Sequence, residues 1–214
     1  VLELLIKVVA LGIASAMSPI ILGVTLTLLA RRGAGLQAYS FLAGGIIAAT
    51  LLAAAGFMVA TGSLHGTPHE TASADMVIGV LMLAFGLKSI FTKDSGSQRN
   101  VKSKGASPLK WLFIGFVLNI ANTDAVLLNF TAAKTIFQDA ANPLYQLALI
   151  LVADGFYLLP GLLPIAVYLL RPKAAKRTLE PVAGWMERHG SFITGAIFLV
   201  FGAYLLWHGF SSIA

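Results

Sequence analysis

One carboxylate, Asp124, stands in "NIANTDAVLLNF" (residues 119–130), midway along an apolar stretch long enough to cross a membrane. A bare charge in hydrocarbon is expensive, so an acid at that depth must be protonated, paired or bound to a cation, and it marks a functional site by default. Its neighbours Asn119, Asn122, Thr123 and Asn129 offer oxygen ligands and hydrogen bonds. A second acid, Asp154, lies in "LVADGFYLLPGLLP", where Gly155, Pro160, Gly161 and Pro164 interrupt another apolar run. Two intramembrane acids could act as a proton relay or as the hard-oxygen shell of a divalent cation, which makes Asp124 and Asp154 the candidate metal ligands. For Asp154 the alternative is exposure to an outer vestibule. Ser18, beside Pro19 in "SAMSPIILG" (15–23), is either a ligand or a hydroxyl bonded to its own helix. Lys134 is expected to snorkel to the interface, with an ion pair as the lesser alternative.

Other constellations are weaker. His65, His69 and Glu70 in "LHGTPHE" resemble metal ligands but have no second cluster beside them in the sequence. No serine, histidine and acid share a depth, and there is no phosphate-binding glycine loop or metalloprotease motif, so we expect no enzyme and no cofactor. The absence of cysteine removes disulfides and thiolate chemistry.

These residues need a scaffold, and composition says which kind. Hydrophobic residues make up 57% of the 214 and charged residues 11%, whereas a soluble domain carries about 25% charged residues. The expected fold class is all-α integral membrane. A span needs about 20 apolar residues, and six stretches come close or qualify: 4–30, 37–61, 76–91, 111–137, 144–170 and 192–210. The third is short and extends outward through 72–75. The first continues as a full span with no small-residue cleavage site, unlike a signal peptide.

Basic residues fall on alternate loops: Arg31 and Arg32; Lys93, Arg99, Lys102, Lys104 and Lys110; then Arg171, Lys173, Lys176, Arg177 and Arg188. The loops "SLHGTPHETASAD" and "QDAANP" carry none. By the positive-inside rule the basic loops face the cytoplasm and both termini lie outside a plasma (inner) membrane. The net charge of +6 therefore reads as topology and contact with membrane lipids, not as a nucleic-acid partner. The segment 179–190 is expected to lie along the inner surface with Trp185 as its anchor.

Spans 3 and 6 carry an internal repeat. In "VIGVLMLAFGLKSIF" (77–91) and "ITGAIFLVFGAYLLW" (193–207), Gly79 matches Gly195, Phe85 matches Phe201 and Gly86 matches Gly202 at an offset of 116. Two three-span halves have opposite orientations, which gives a 3+3 inverted-topology repeat: 1–92, then the basic cytoplasmic loop 93–110, then 111–214. Spans 1 and 4 are then equivalents, and the site is expected where they meet. Pro19 should break span 1, and the asparagines and Thr123 should weaken span 4 at a similar depth. The small residues of "FLAGGIIAATLLAAAG" (41–56) are expected to pack helices closely. Such faces on spans 2, 3 and 6 are compatible with a homodimer.

The "SP" of span 1, the asparagine motif of span 4 and "LLPIAVYLLRPKAAKRTLEPVAGWMERHGSFITGAIFLVFGAYLLWHGF" (162–210) resemble the lysine-exporter superfamily. They are most similar to its peptidoglycolipid-addressing branch, also called the sulfolipid-addressing family, and "RRGAGLQAYSFLAGG" (31–45) is similar to that branch's first cytoplasmic loop and second span. The resemblance implies a secondary exporter working by alternating access. Where the superfamily often has Asn-Pro-Lys, this chain reads Asn122-Thr123-Asp124, which moves weight toward a cation. The expected function is export of a small polar solute or cation, with the intramembrane acids coupling to protons or holding the cation. The alternatives are an envelope glycolipid-addressing adaptor without transport of its own and, far behind, an enzyme on a lipid head group.

Overall fold

The structure, a computed structural model, describes residues 2–29, 35–65, 68–91, 107–170 and 175–211. Arg31, Arg32, Arg171, Lys173 and the basic loop through residue 106 lie outside the described residues, as do the side chains of His65, His69, Glu70, Lys176 and Arg177. The described residues form helices α1 (Leu2–Ser15), α2 (Pro19–Leu29), α3 (Gly35–His65), α4 (Pro68–Phe91), α5 (Pro108–Ala121), α6 (Thr123–Asp139), α7 (Pro143–Leu170) and α8 (Ala175–Ser211). The polar punctuation sets several starts. Ser107 accepts a hydrogen bond from the Lys110 amide ahead of Pro108, and Asn142 Oδ1 accepts from the amides of Leu144 and Tyr145 ahead of Pro143. Side-chain acceptors before a first-turn proline are favoured at helix N-termini.

Among the described residues three helices can each cross a membrane alone: α3, α7 and the Arg188–Ser211 part of α8. The pairs α1–α2 and α5–α6 pass only when each is taken as one broken span, bent by 59° and 78°, giving up to five. The sixth expected span falls in α4, where the apolar run between Asp75 and Lys88 is only 12 residues, well short of about 20. One expectation changes. Most of "SLHGTPHETASAD" is helix, because α3 runs on to His65 and α4 starts at Pro68. Residues 179–190 are helical as expected and belong to the continuous α8, which accommodates Pro181.

Glycines let the backbones meet where the architecture is tightest. A Cβ on Gly44 would run into the Leu112 carbonyl, and one on Gly115 into the Phe41 carbonyl, so α3 and α5 touch backbone to backbone. Farther along α3, Gly56 meets the backbone of Ala133 and Lys134 on α6. The straight α3 thus braces both arms of the bent α5–α6 pair, as the small residues of 41–56 suggested. In the same way α7 lies on α1 and α2: Phe156 packs on Gly12, and Gly161 faces Ile21 and Thr25.

Helices α4 and α8 run antiparallel. Gly79 faces Gly202 and Leu206, while Gly195 faces Gly86 and Ile90. Gly86 faces Leu199, and Gly202 faces Leu83. The offset of 116 carries each contact onto another of the set. The main core joins Leu4, Val8 and Leu11 of α1 to Met82 of α4, Leu128 and Ile136 of α6, Leu149 of α7 and Phe198 of α8.

Candidate functional site

The first break is a local product of proline. Pro19 has no amide hydrogen and cannot continue α1, so the chain turns through short-range bonds: Met17 N–H to Ala14 O at 3.1 Å and Ser18 N–H to Ala16 O at 2.9 Å. Helix α2 starts again when the Leu22 amide bonds to Ser18 O at 3.2 Å. Ser15 folds its hydroxyl onto Gly12 O at 2.8 Å. Helix α8 closes over this turn, with the Thr194 hydroxyl 3.5 Å from Ala14 O.

The second break uses a single residue. Asn122, at φ −79° and ψ 72°, ends α5 and begins α6. Its amide still bonds to Leu118 O and Asn119 O, and its carbonyl accepts from Val126, so the chain pivots without losing all its ladder. Its side chain makes no cap bond to α6. Instead Asn122 Nδ2 donates to Ser18 Oγ at 3.0 Å. The two breaks are therefore hydrogen-bonded to each other, where the sequence places the meeting of spans 1 and 4. Ser18 is buried.

The remaining polar residues are arranged in steps along α6. At the break, Tyr157 of α7 donates to Asn119 O at 3.1 Å, holding the carbonyl end of α5. The Asn119 side chain turns back to Gly115 O at 2.8 Å. Asp124 lies half-buried in the first turn of α6, where the partial positive charge of the helix end favours a carboxylate. Farther along, Asn129 Nδ2 donates to Asp154 Oδ1 at 3.0 Å. Asn129 thus serves Asp154; five positions along a helix of 3.6 residues per turn put it on a different side of α6 from Asp124. Asn129 Oδ1 is buried and has no hydrogen-bond partner among the described residues. A proton on Asp154 or a small cation would complete that pair of oxygens.

Lys134 overturns its expectation. It does not snorkel: its side chain is 2% exposed and forms an ion pair with Asp75 of α4. The other oxygen of Asp75 lies 3.2 Å from His208 Nδ1 of α8. A buried ammonium needs a buried acid, and that demand was the signal pointing to a partner. Sequence reasoning did not single out Asp75, because it sits 59 positions away in a segment read as a span extension.

Among the described residues no three of His, Cys, Asp and Glu gather as metal ligands. In "WMERH", His189 stacks on Trp185 with ring centres 5.2 Å apart and bonds to its carbonyl, so this motif is a contact within α8.

No curated protein and no solved structure matches the chain. A family model does, described as Sap, sulfolipid-1-addressing protein, and its match runs from residue 8 to residue 211. With nearly the whole chain, including both helix breaks and the α4–α8 glycine contacts, inside that match, the chain belongs to the sulfolipid-1-addressing protein family.

Proposed function

We propose that this membrane protein is a secondary transporter that exports a small polar solute or a cation by alternating access. The observation that carries the reading is the bond between Asn122 and Ser18, which ties together two broken spans. A helix interrupted inside a membrane frees carbonyls and amides that an ion or polar solute can use, and paired interruptions are a recurring plan of secondary transporters. Asp124 and the Asn129–Asp154 pair supply proton or cation ligands near that crossing, with Pro19, Asn119 and Asn122 shaping it.

The proposed architecture is six spans in two inverted halves, with both termini outside the plasma membrane. The exchange of α4–α8 contacts under one offset supports it, as does the way α3 braces α5–α6 while α7 braces α1–α2. We place the family within the lysine-exporter superfamily on the residues quoted for that resemblance. The reading assigns no covalent chemistry.

The family name favours a second reading, an adaptor that helps to address a sulfolipid at the envelope. One experiment separates the two. Purified protein and Asp124→Asn are screened by thermal unfolding against divalent cations, amino acids and lipid head groups across pH. A ligand at 100 times its dissociation constant stabilises by about 2.7 kcal/mol. The transporter reading expects one ligand to raise the parent's melting temperature and to lose that effect in Asp124→Asn, followed by flux in liposomes. If no ligand acts and replacing residues 93–106 abolishes function while Asp124→Asn does not, the adaptor reading takes its place.

A further inference from the structure

A primary amide presents a donor and an acceptor along one edge, and a carboxylic acid does the same once it holds a proton. A carboxylate presents acceptors alone. In the pair beside the crossing, Asn129 Nδ2 donates to Asp154 Oδ1 at 3.0 Å. The other end of the same amide, Asn129 Oδ1, is buried with no partner among the described residues. Asn129 is 2% exposed, and a buried acceptor left without a donor is rare in native folds. Asp154 keeps partial exposure. One side of the pair is sealed and the other can be reached.

The charged groups nearby do not supply the missing donor. Among the described residues no lysine, arginine or histidine forms an ion pair with Asp154. Lys134, on the same helix as Asn129, pairs with Asp75 of α4, and Lys7 of α1 pairs with Glu3. His208 of α8 lies on Asp75 as well. Asp124 stands on another side of α6. Helix α2 has no ionisable side chain, and Tyr39 of α3 lies in the second turn, at the basic-loop end. Tyr157, three positions from Asp154 on α7, donates to Asn119 O.

A metal ion suits the pair poorly. Hard divalent cations take about six or more oxygen ligands, and among the described residues no three of His, Cys, Asp and Glu gather. The amide also turns an N–H toward the carboxylate, where a cation would meet like polarity. A proton meets neither obstacle.

We infer that Asp154 and Asn129 form a proton-binding site, an acid–amide pair in which Asp154 carries the proton and donates it as a hydrogen bond to Asn129 Oδ1. Binding takes a proton from water, forms an O–H bond on Asp154 Oδ2 and removes one negative charge from the span. The edge then holds two bonds, amide N–H to acid C=O and acid O–H to amide C=O. Exchanging the nitrogen and oxygen of the amide leaves this unchanged, because only a protonated acid complements both of its ends. Release of the proton to water restores a bare carboxylate and an orphaned carbonyl, a costly state inside a membrane. Asp154 is thereby the coupling residue, a role that rests on the transporter reading, and the crossing is left to the solute.

Infrared spectroscopy of detergent-purified protein at neutral pH tests the pair. A protonated carboxyl has a carbonyl band apart from those of amides and carboxylates. The difference between the parent and Asp154→Asn should contain one such band. Asn129→Leu should move that band to higher frequency, since it removes both hydrogen bonds, and magnesium or calcium should leave it in place. Asn129→Leu keeps Asp154, so this arm decides even if Asp154→Asn fails to fold. No acid band lost in Asp154→Asn, or a band indifferent to Asn129→Leu, would overturn the pair. Replacement of the band by a carboxylate on adding either metal would overturn it in favour of a metal site. An acid band that responds to Asn129→Leu, with no ligand found in the thermal screen, would uphold the proton site and count against the transporter reading. A ligand lost in Asp124→Asn without any such band would remove the proton site alone.

Discussion

The two bent helix pairs, α1–α2 and α5–α6, are bent by different means. The α1–α2 bend of 59° comes from within: Pro19 forbids the continuing bond, and three residues of tight turn follow from it. The α5–α6 bend of 78° is sharper, yet it contains no proline and turns on Asn122 alone. It is held from outside. The α3 backbone presses on α5 at Gly44 and Gly115, Tyr157 ties down Asn119 O, and Ser18 takes the Asn122 amide. The packing differs in the same sense. Near the first break Gly12 lies closest to the side chain of Phe156, which can give way, whereas Gly115 lies closest to the backbone of Phe41. A break made by covalent structure survives the loss of its neighbours; one made by neighbours does not.

The sharpest way to break that contrast is at the glycines. Gly115→Ala should destabilise by about 3 kcal/mol or more, because backbone cannot repack around a methyl group as a side chain can. Gly12→Ala should cost about 1 kcal/mol, after movement of Phe156 and with some return from alanine's better helix propensity. Chemical unfolding in detergent measures both, and equal losses would contradict the distinction between the two braces.

A smaller effect concerns the bond between the breaks. In a double-mutant cycle, Asn122→Ala and Ser18→Ala should couple by about 1 kcal/mol, the net worth of one hydrogen bond in a partly buried site. Additive losses would mean that the breaks are adjacent without supporting each other.

The smallest effect should come from Pro19→Ala. Alanine is tolerated in the first turn of α2, so stability should fall by less than about 1 kcal/mol, mostly through the freer unfolded chain. The bend itself should relax, read as a longer label-to-label distance between the ends of α1 and α2. An unchanged distance would show that the first break, like the second, is held by its neighbours.

The contrast also explains what could be read from the chain beforehand. Pro19 and the asparagines of span 4 announce interruptions through their own backbone chemistry, and both breaks fall there. The small residues of 41–56 and the glycines of 79, 86, 195 and 202 announce close approach, since only they leave room for it. Pairings across the fold carry no such mark. Asn129 offers equally good hydrogen bonds to Asp124 or Asp154 in sequence, and only packing of α6 on α7 selects Asp154. Lys134 looked like an interfacial lysine because its distance from the span's end suits snorkelling, and nothing local reveals Asp75 waiting on α4.

The glycine contacts between α4 and α8 carry a consequence for ancestry. Gly79 against Gly202 and Gly195 against Gly86 are one interface written twice, since exchanging the two helices returns the same contacts. A surface with that property can be made by two copies of a single shorter chain inserted in opposite directions, with no linker between them. Duplication and fusion of such a chain would leave the seam intact while freeing each copy to specialise, one toward a proline break and the other toward an asparagine pivot.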